Sequence, residues 1–336
     1  MRRRGWQFPE REATPEAVFM NRRKFMQTLG GLGTAGLLGA CGHEKIYTPD
    51  DAPPAAATPA VVIKEPQATA DTAPSLYPAR LNPVFSRLDR SRTKEEVAAR
   101  LNNFYEFSEA KDEVWQLAWM LDTKPWTVEV AGLVHKPQLL DIDALIRRMP
   151  LEERLYRLRC VEAWAMAVPW TGFPLKALIE AVEPLSSAKY VKLLSFFNPE
   201  QAPGQWDNPG WSWPYGEGLT MAEATNELTI LATGVYGHPL PKQHGAPLRL
   251  VVPWKYGYKS IKSIVRIEFV EEEPPTFWDT LQPGVYDFWA NVDPAVPHPA
   301  WSQATEEMIG TGEKRPTLLY NGYGEYVAQL YDGGRG

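Results

Sequence analysis

Proline falls beside an aromatic ring again and again in this chain, at Lys124-Pro125-Trp126, Val168-Pro169-Trp170, Trp213-Pro214-Tyr215 and Val252-Pro253-Trp254. The 31 prolines and 13 tryptophans among 336 residues make this a rule of construction. Proline fixes φ and lacks an amide donor, so neither a long helix nor an unbroken sheet ladder runs through such positions. The chain must turn often, with rings packed against the turns, and a pocket built from loops is the expected product. Between the turns, period-two patterning at Trp126–Val130, Tyr190–Leu194 and Ile264–Phe269 predicts strands. Helical patterns are shorter: Ile142–Arg148 behind a cap at Asp141, and Pro174–Val182 with Pro174 in its first turn. Strands, few helices and proline-rich loops read as an α+β fold, mixed and rich in β-structure.

The amino-terminal region is of a different kind. Asn21-Arg22-Arg23-Lys24-Phe25-Met26 is a twin-arginine pattern, and the mildly apolar run Gln27–Ala40 that follows is too short to span a bilayer as a helix. Its glycines, each costing about 1 kcal/mol in a helix, also set it apart from an amphipathic helix of the mature fold. Residues 1–41 therefore read as a twin-arginine export signal to the periplasm, a route that carries folded proteins with their cofactors inserted. Gly31-Leu32-Gly33-Thr34-Ala35-Gly36 spells a dinucleotide-binding pattern, but no strand precedes it and no βαβ unit surrounds it. Leu38-Gly39-Ala40-Cys41 matches a lipoprotein box with Cys41 as the acylated residue; a plain signal-peptidase site nearby competes with it. Residues 42–85 read as a disordered Pro/Ala-rich tether, and residues 86–336 as one catalytic domain. A formal net charge of -6 argues against nucleic acid as partner.

Beyond the leader one cysteine remains, Cys160, in Arg157-Leu158-Arg159-Cys160-Val161-Glu162-Ala163-Trp164 at the end of a predicted strand. Two arginines two residues apart favour a thiolate, which is a nucleophile or a soft metal ligand. A buried, inert cysteine is the alternative. Asn102-Asn103-Phe104-Tyr105-Glu106-Phe107 is a polar and aromatic cluster with no periodicity, and Pro241–Arg249 places His244 and Arg249 around a glycine turn. With Lys255, Lys259 and Lys262, Arg249 forms a basic concentration suited to an anion carrying a flat ring system. A turn-capping histidine and a solvated lysine face are the competing readings. The set has no haem attachment motif and no iron–sulfur cysteine pattern, so electrons must come from another protein.

On these residues, together with Val252-Pro253-Trp254-Lys255-Tyr256-Gly257 and Trp301-Ser302-Gln303-Ala304-Thr305-Glu306, the chain resembles the molybdopterin-binding domain of the sulfite oxidase superfamily. Within it, the similarity is to the periplasmic protein-methionine-sulfoxide reductases, and it runs from the leader to Asn321-Gly322-Tyr323. The resemblance implies one Mo-molybdopterin per chain, with Cys160 as metal ligand and catalytic residue. It implies pterin and phosphate contacts from Asn102, Tyr105, Glu106, Ser195, His244, Arg249, Ser260, Ile261 and Lys262. Ser195, His244 and Ser260 stand where that family carries Thr, Asn and Gly; the hydroxyl survives the first change, and Ser260 would act through its backbone. The implied partners are a membrane haem-binding subunit, MsrQ, as electron donor and oxidised periplasmic proteins as substrates. Trp206, Trp211, Trp213 and Tyr215 are candidates to line an aromatic substrate cleft. About 60 residues follow Glu273, fewer than the roughly 100 an immunoglobulin-like dimerisation domain needs, so a monomeric catalytic subunit is expected. The same resemblance admits a sulfite dehydrogenase or a small-molecule sulfoxide or N-oxide reductase, and a metal-free protein with a structural or nucleophilic Cys160 remains the reading from another class.

Overall fold

The computed structural model describes residues 75–331, so the leader, the twin-arginine motif and Cys41 lie outside the described residues. All described residues belong to the second of two units, Thr58–Gly336. Twelve strands form two sheets among them. The first sheet holds β1 (Thr127–Gly132), β2 (Gln138–Asp141), β5 (Tyr190–Ser195), β6 (Gly216–Thr220) and β10 (Ile264–Val270), in the order β2-β1-β10-β5-β6. Only its β1–β10 pair is parallel. The three strands predicted from alternation are its middle three. In β5 the inward set is Val191, Leu193 and Ser195, which places one hydroxyl at the end of an apolar row. In β10 a register shift between Ile264 and Arg266 changes parity, so that Ile264 and Ile267 both face inward.

The second sheet is built on β4 (Trp164–Pro174), an 11-residue strand buried along almost its whole length. One edge of β4 pairs with β3 (Glu152–Arg159). The other is long enough for two partners: β11 (Thr305–Met308) runs parallel beside Trp164 and Ala165, and β7 (Ile230–Val235) runs antiparallel beside Trp170–Pro174. Pro169 sits between them and its carbonyl accepts from Tyr236 N at 3.0 Å. Its missing N–H therefore falls where the ladder changes partner, which is how a proline is tolerated inside this strand. β8 (His238–Pro239) and β9 (Arg249–Val251) flank β7, and β12 (Lys314–Pro316) flanks β11. Residues of both sheets, Val130, Leu193 and Phe269 with Val168, Trp170 and Leu231, belong to one contiguous apolar core.

Two helices match their predicted spans closely. In α1 (Ile142–Arg148) Asp141 accepts from Ala144 N at 2.9 Å, as an N-cap does. α2 (Leu175–Val182) buries Leu175, Leu178, Ile179 and Val182, one helical face. Pro174 caps it rather than occupying its first turn. One expectation needs correction. The tether expected to reach residue 85 ends earlier, because aromatic anchors pull its last part onto the domain. Tyr77 Oη donates to Thr233 Oγ1 at 2.8 Å, Leu81 bridges to Glu153, and Phe85 is buried. The residues after Glu273 form no separate body: α3 (Phe277–Leu281), β11 and β12 close onto the same core and sheet. Among the described residues no helix is long and apolar enough to cross a membrane.

Candidate active site

Partners already in place decide what Cys160 meets. Arg157 and Arg159 are two apart on β3 and share a face, and Cys160 follows the last residue of that strand. Arg157 reaches Asp89 at 3.1 Å and the Asn321 carbonyl at 2.9 Å. Arg159 is wholly buried; it donates to Gln303 Oε1 at 2.8 Å and to the Cys160 carbonyl, and pairs with Glu306, which also binds Arg90. The expected electropositive activation of the thiol is therefore corrected. Burial pushes the Cys160 thiol up to about 12, Glu162 adds to the rise, and Lys111 and Arg159 offset only part of it. Without a metal this is a neutral S–H at 5% exposure. A metal ion is the agent able to deprotonate it.

Residues the sequence reading passed over surround the sulfur. Asn103 Nδ2 and the Glu162 amide each lie 3.4 Å from Sγ. Glu162 is ion-paired to Lys111, accepts from Trp164 Nε1 at 3.1 Å and from Asn103 at 3.3 Å, and its carboxyl is held below the usual range despite the opposing cost of burial. The loop itself is tied down. Ala163 adopts φ 68° and its amide closes a turn on the Cys160 carbonyl at 3.0 Å. The Val161 carbonyl accepts from both Trp301 Nε1 and Gln303 Nε2 at 2.7 Å. Tyr256 of the Pro253–Gly257 segment bridges to Arg159, bringing two of the quoted motifs side by side.

Of the residues carried by resemblance, most converge. Arg249 is 3% exposed; its guanidinium stacks over Trp170 at 4.6 Å and donates to the carbonyls of His244 at 3.0 Å and Ser260 at 3.2 Å. Ser260 Oγ accepts from Val252 N at 3.2 Å, and the Ile261 carbonyl from Leu250 N at 2.9 Å, which joins this loop to β9. Gly245, at φ 96°, lets the His244 turn lie against Lys262: a Cβ there would come within 2.7 Å of the Lys262 Cβ. Lys262 lies 5.3 Å from the Phe104 ring and within the electrostatic field of Cys160, Glu106 and Arg249. Ser195 is beside the buried Glu106 carboxyl. The carbonyl of Tyr105 is approached so closely by the short helix Pro203–Asp207 that a Cβ on Gly204 would sit 2.1 Å from it. Asn102 faces away, its amide donating to the Ala99 carbonyl at 3.0 Å, and the Tyr105 ring packs against Trp278 at 5.0 Å.

The basic concentration is smaller than its sequence suggests. Lys255 is consumed by an ion pair with Glu223, and Lys259 by one with Glu217 at 3.0 Å. Arg249 and Lys262 remain, and among the described residues neither is in ion-pair contact with a carboxylate. Burial first, then the neighbouring Arg249, pulls Lys262 down to about 7; burial alone pulls Arg249 down to about 9. Such a cluster calls for an anion. Among the described residues no three His, Cys, Asp or Glu side chains gather to hold a metal, so a metal on Cys160 must take its other ligands from a bound group. An anionic, sulfur-bearing cofactor fits both demands.

Burial, Arg249 and Lys262 together hold the His244 imidazole down to about 3. Below its ordinary value of 6.5 the unfolded chain takes up a proton that the folded chain does not, so stability falls as pH drops from about 6.5 toward 3. His244→Asn removes this slope. In cofactor-free protein, the loss of unfolding free energy between about pH 7 and about pH 5 is expected to shrink, by at most about 1.4 kcal/mol per pH unit; calorimetry of both proteins at the two pH values checks it.

The four aromatic candidates for the cleft divide. Trp211 and Trp213 stack at 5.8 Å, and Tyr215 stacks on Phe277 at 4.6 Å, which makes them packing, while Trp206 is 74% exposed.

A family model described as an oxidoreductase molybdopterin binding domain matches residues 116–278. The protein-methionine-sulfoxide reductase catalytic subunit MsrP of Burkholderia mallei (strain ATCC 23344) is 46% identical over 334 residues, which is 98% of this chain and 94% of that protein. Among solved structures, the sulfane dehydrogenase SoxCD from Paracoccus pantotrophus aligns with a TM-score of 0.41 at 17% identity, covering 59% of this chain and 46% of that one. The domain match spans Cys160 and the cationic loop, and the relative extends the likeness through Asn103, Trp301 and Gln303; the chain belongs to the family of protein-methionine-sulfoxide reductase catalytic subunits, MsrP.

Proposed function

We propose that this chain is the catalytic subunit of a periplasmic molybdenum oxidoreductase that reduces methionine sulfoxide in exported proteins to methionine. The observation that carries the reading is a buried thiol with the half-buried Lys262 in its electrostatic field, and next to Lys262 a buried Arg249 in no ion pair among the described residues, in a chain 46% identical to an MsrP catalytic subunit. Mo-molybdopterin, when bound, supplies the two-electron removal of the sulfoxide oxygen. Cys160 holds the metal, and Arg249 and Lys262 neutralise the phosphate. His244, kept neutral, offers a hydrogen bond without adding charge. Glu106, Ser195, Ser260 and Ile261 complete the cradle. Asn103 and the Glu162 amide fix the sulfur, and Lys111 keeps Glu162 ionised.

Residues 1–41 direct export by the twin-arginine route, and residues 42–76 tether the domain that follows. Electrons enter from a membrane haem-binding subunit, MsrQ, docked transiently on a monomeric catalytic subunit. Elemental analysis of the exported protein, with reductive turnover of methionine sulfoxide by an artificial donor in the same sample, tests the reading. About one molybdenum per chain with turnover is expected. Metal with turnover of sulfite alone overturns the substrate, and absence of metal after expression in cofactor-competent cells overturns the enzyme.

A further inference from the structure

A cavity of about 120 Å³ adjoins the Cys160 loop and has Val161 in its wall. Tyrosines dominate it: Tyr256, Tyr258, Tyr286 and Tyr320. Tyr256 and Tyr258 stack at 6.3 Å and 14°, and Tyr286 meets Tyr258 edge-on at 5.2 Å. Two carboxylates, Asp287 and Asp293, and the His298 imidazole share the wall; no lysine or arginine lines it, and the buried Arg159 lies over the Tyr256 ring at 5.8 Å. Each aspartate is oriented by its own turn, Asp287 accepting from Ala290 N at 2.6 Å and Asp293 from Ala295 N at 2.8 Å.

The sign of this cavity is opposite to that of the Arg249–Lys262 loop. Tyrosine faces carry negative potential and attract a cation within about 6 Å of the ring. Two carboxylates add to that attraction and repel phosphate or sulfite. The volume holds the end of one side chain, not a whole ligand. Exposed Val285, Val296 and Leu319 stand around it and suit the methylene stem that precedes an ammonium or guanidinium. A bare metal ion is the poorer occupant, since among the described residues no three metal-ligating side chains gather.

We infer that this cavity receives a lysine or arginine side chain of the oxidised protein substrate, close in sequence to the methionine sulfoxide presented at Cys160. The inference rests on the proposed function for its substrate, and it adds a preference: sulfoxides in basic surroundings bind more tightly.

Binding separates the two. Calorimetric titration of the cofactor-loaded enzyme compares a short peptide holding methionine sulfoxide between lysines with its twin holding glutamines. The lysine peptide is expected to bind on the order of tenfold more tightly. Asp287→Asn/Asp293→Asn should abolish that margin and leave the glutamine peptide within about twofold, whereas Glu180→Gln/Glu183→Gln, which removes two charges from α2 and its cap, should preserve it. Equal binding of the two peptides by the unaltered enzyme overturns the inference. So does a margin lost equally in both double variants, because it would then report overall charge. Turnover is read in the same samples: a margin that depends on Asp287 and Asp293 without any sulfoxide reduction supports the cavity and rejects the reductase.

Discussion

Glu217→Leu is expected to lower the melting temperature by on the order of 10 °C. Glu217 on β6 and Lys259 form an ion pair at 3.0 Å with both side chains at 0% exposure, and Lys259 also donates to the Phe288 carbonyl. Removing the carboxylate strands an ammonium in the interior, at a cost of about 3–5 kcal/mol. A domain of this size shifts by roughly 2–4 °C for each kcal/mol. The pair itself contributes far less than this, since its Coulomb attraction mostly offsets desolvation. Glu217→Leu/Lys259→Met should therefore recover most of the lost stability. Scanning calorimetry of the two variants decides: a double variant no better than the single one would mean that Glu217 acts through packing alone.

Cys160→Ala should abolish turnover, by more than about a hundredfold, while changing the melting temperature by only a few degrees. The side chain is small and its hydrogen-bonding neighbours are a side-chain amide and a backbone amide at 3.4 Å, long contacts whose loss is cheap. The Arg249 and Lys262 cluster is untouched, so the pterin should remain bound while molybdenum is altered or lost. Metal and pterin content measured beside activity test this. Retained turnover would remove Cys160 from the chemistry.

Alternation exposed β1, β5 and β10 because each has one face in the core, and the Asp141 cap and the apolar face of α2 are local signals. The parity change in β10 was not legible, since a bulge leaves composition unaltered. Charge was the least legible property. Lys255 and Lys259 look like anion ligands until β6 and the turn after it deliver Glu217 and Glu223 to them, pairings that depend on tertiary contact alone. For the same reason Arg157 and Arg159 look able to activate Cys160 until the fold pairs them with Asp89 and Glu306. Asn102 and Asn103 are adjacent and chemically identical, and only the folded backbone chooses Asn103 to meet the sulfur.

The double hold on the Val161 carbonyl has a temporal side. Trp301 and Gln303 lie 140 and 142 positions beyond Val161. A ribosome adding about 5–20 residues per second delivers Cys160, Arg249 and Lys262 well before it delivers these two clamps. The loop bearing the thiol thus spends the later part of synthesis without its anchors. Final shaping of the centre belongs to the finished chain, and a truncated product would present the thiol and the cations without the frame that fixes their loop.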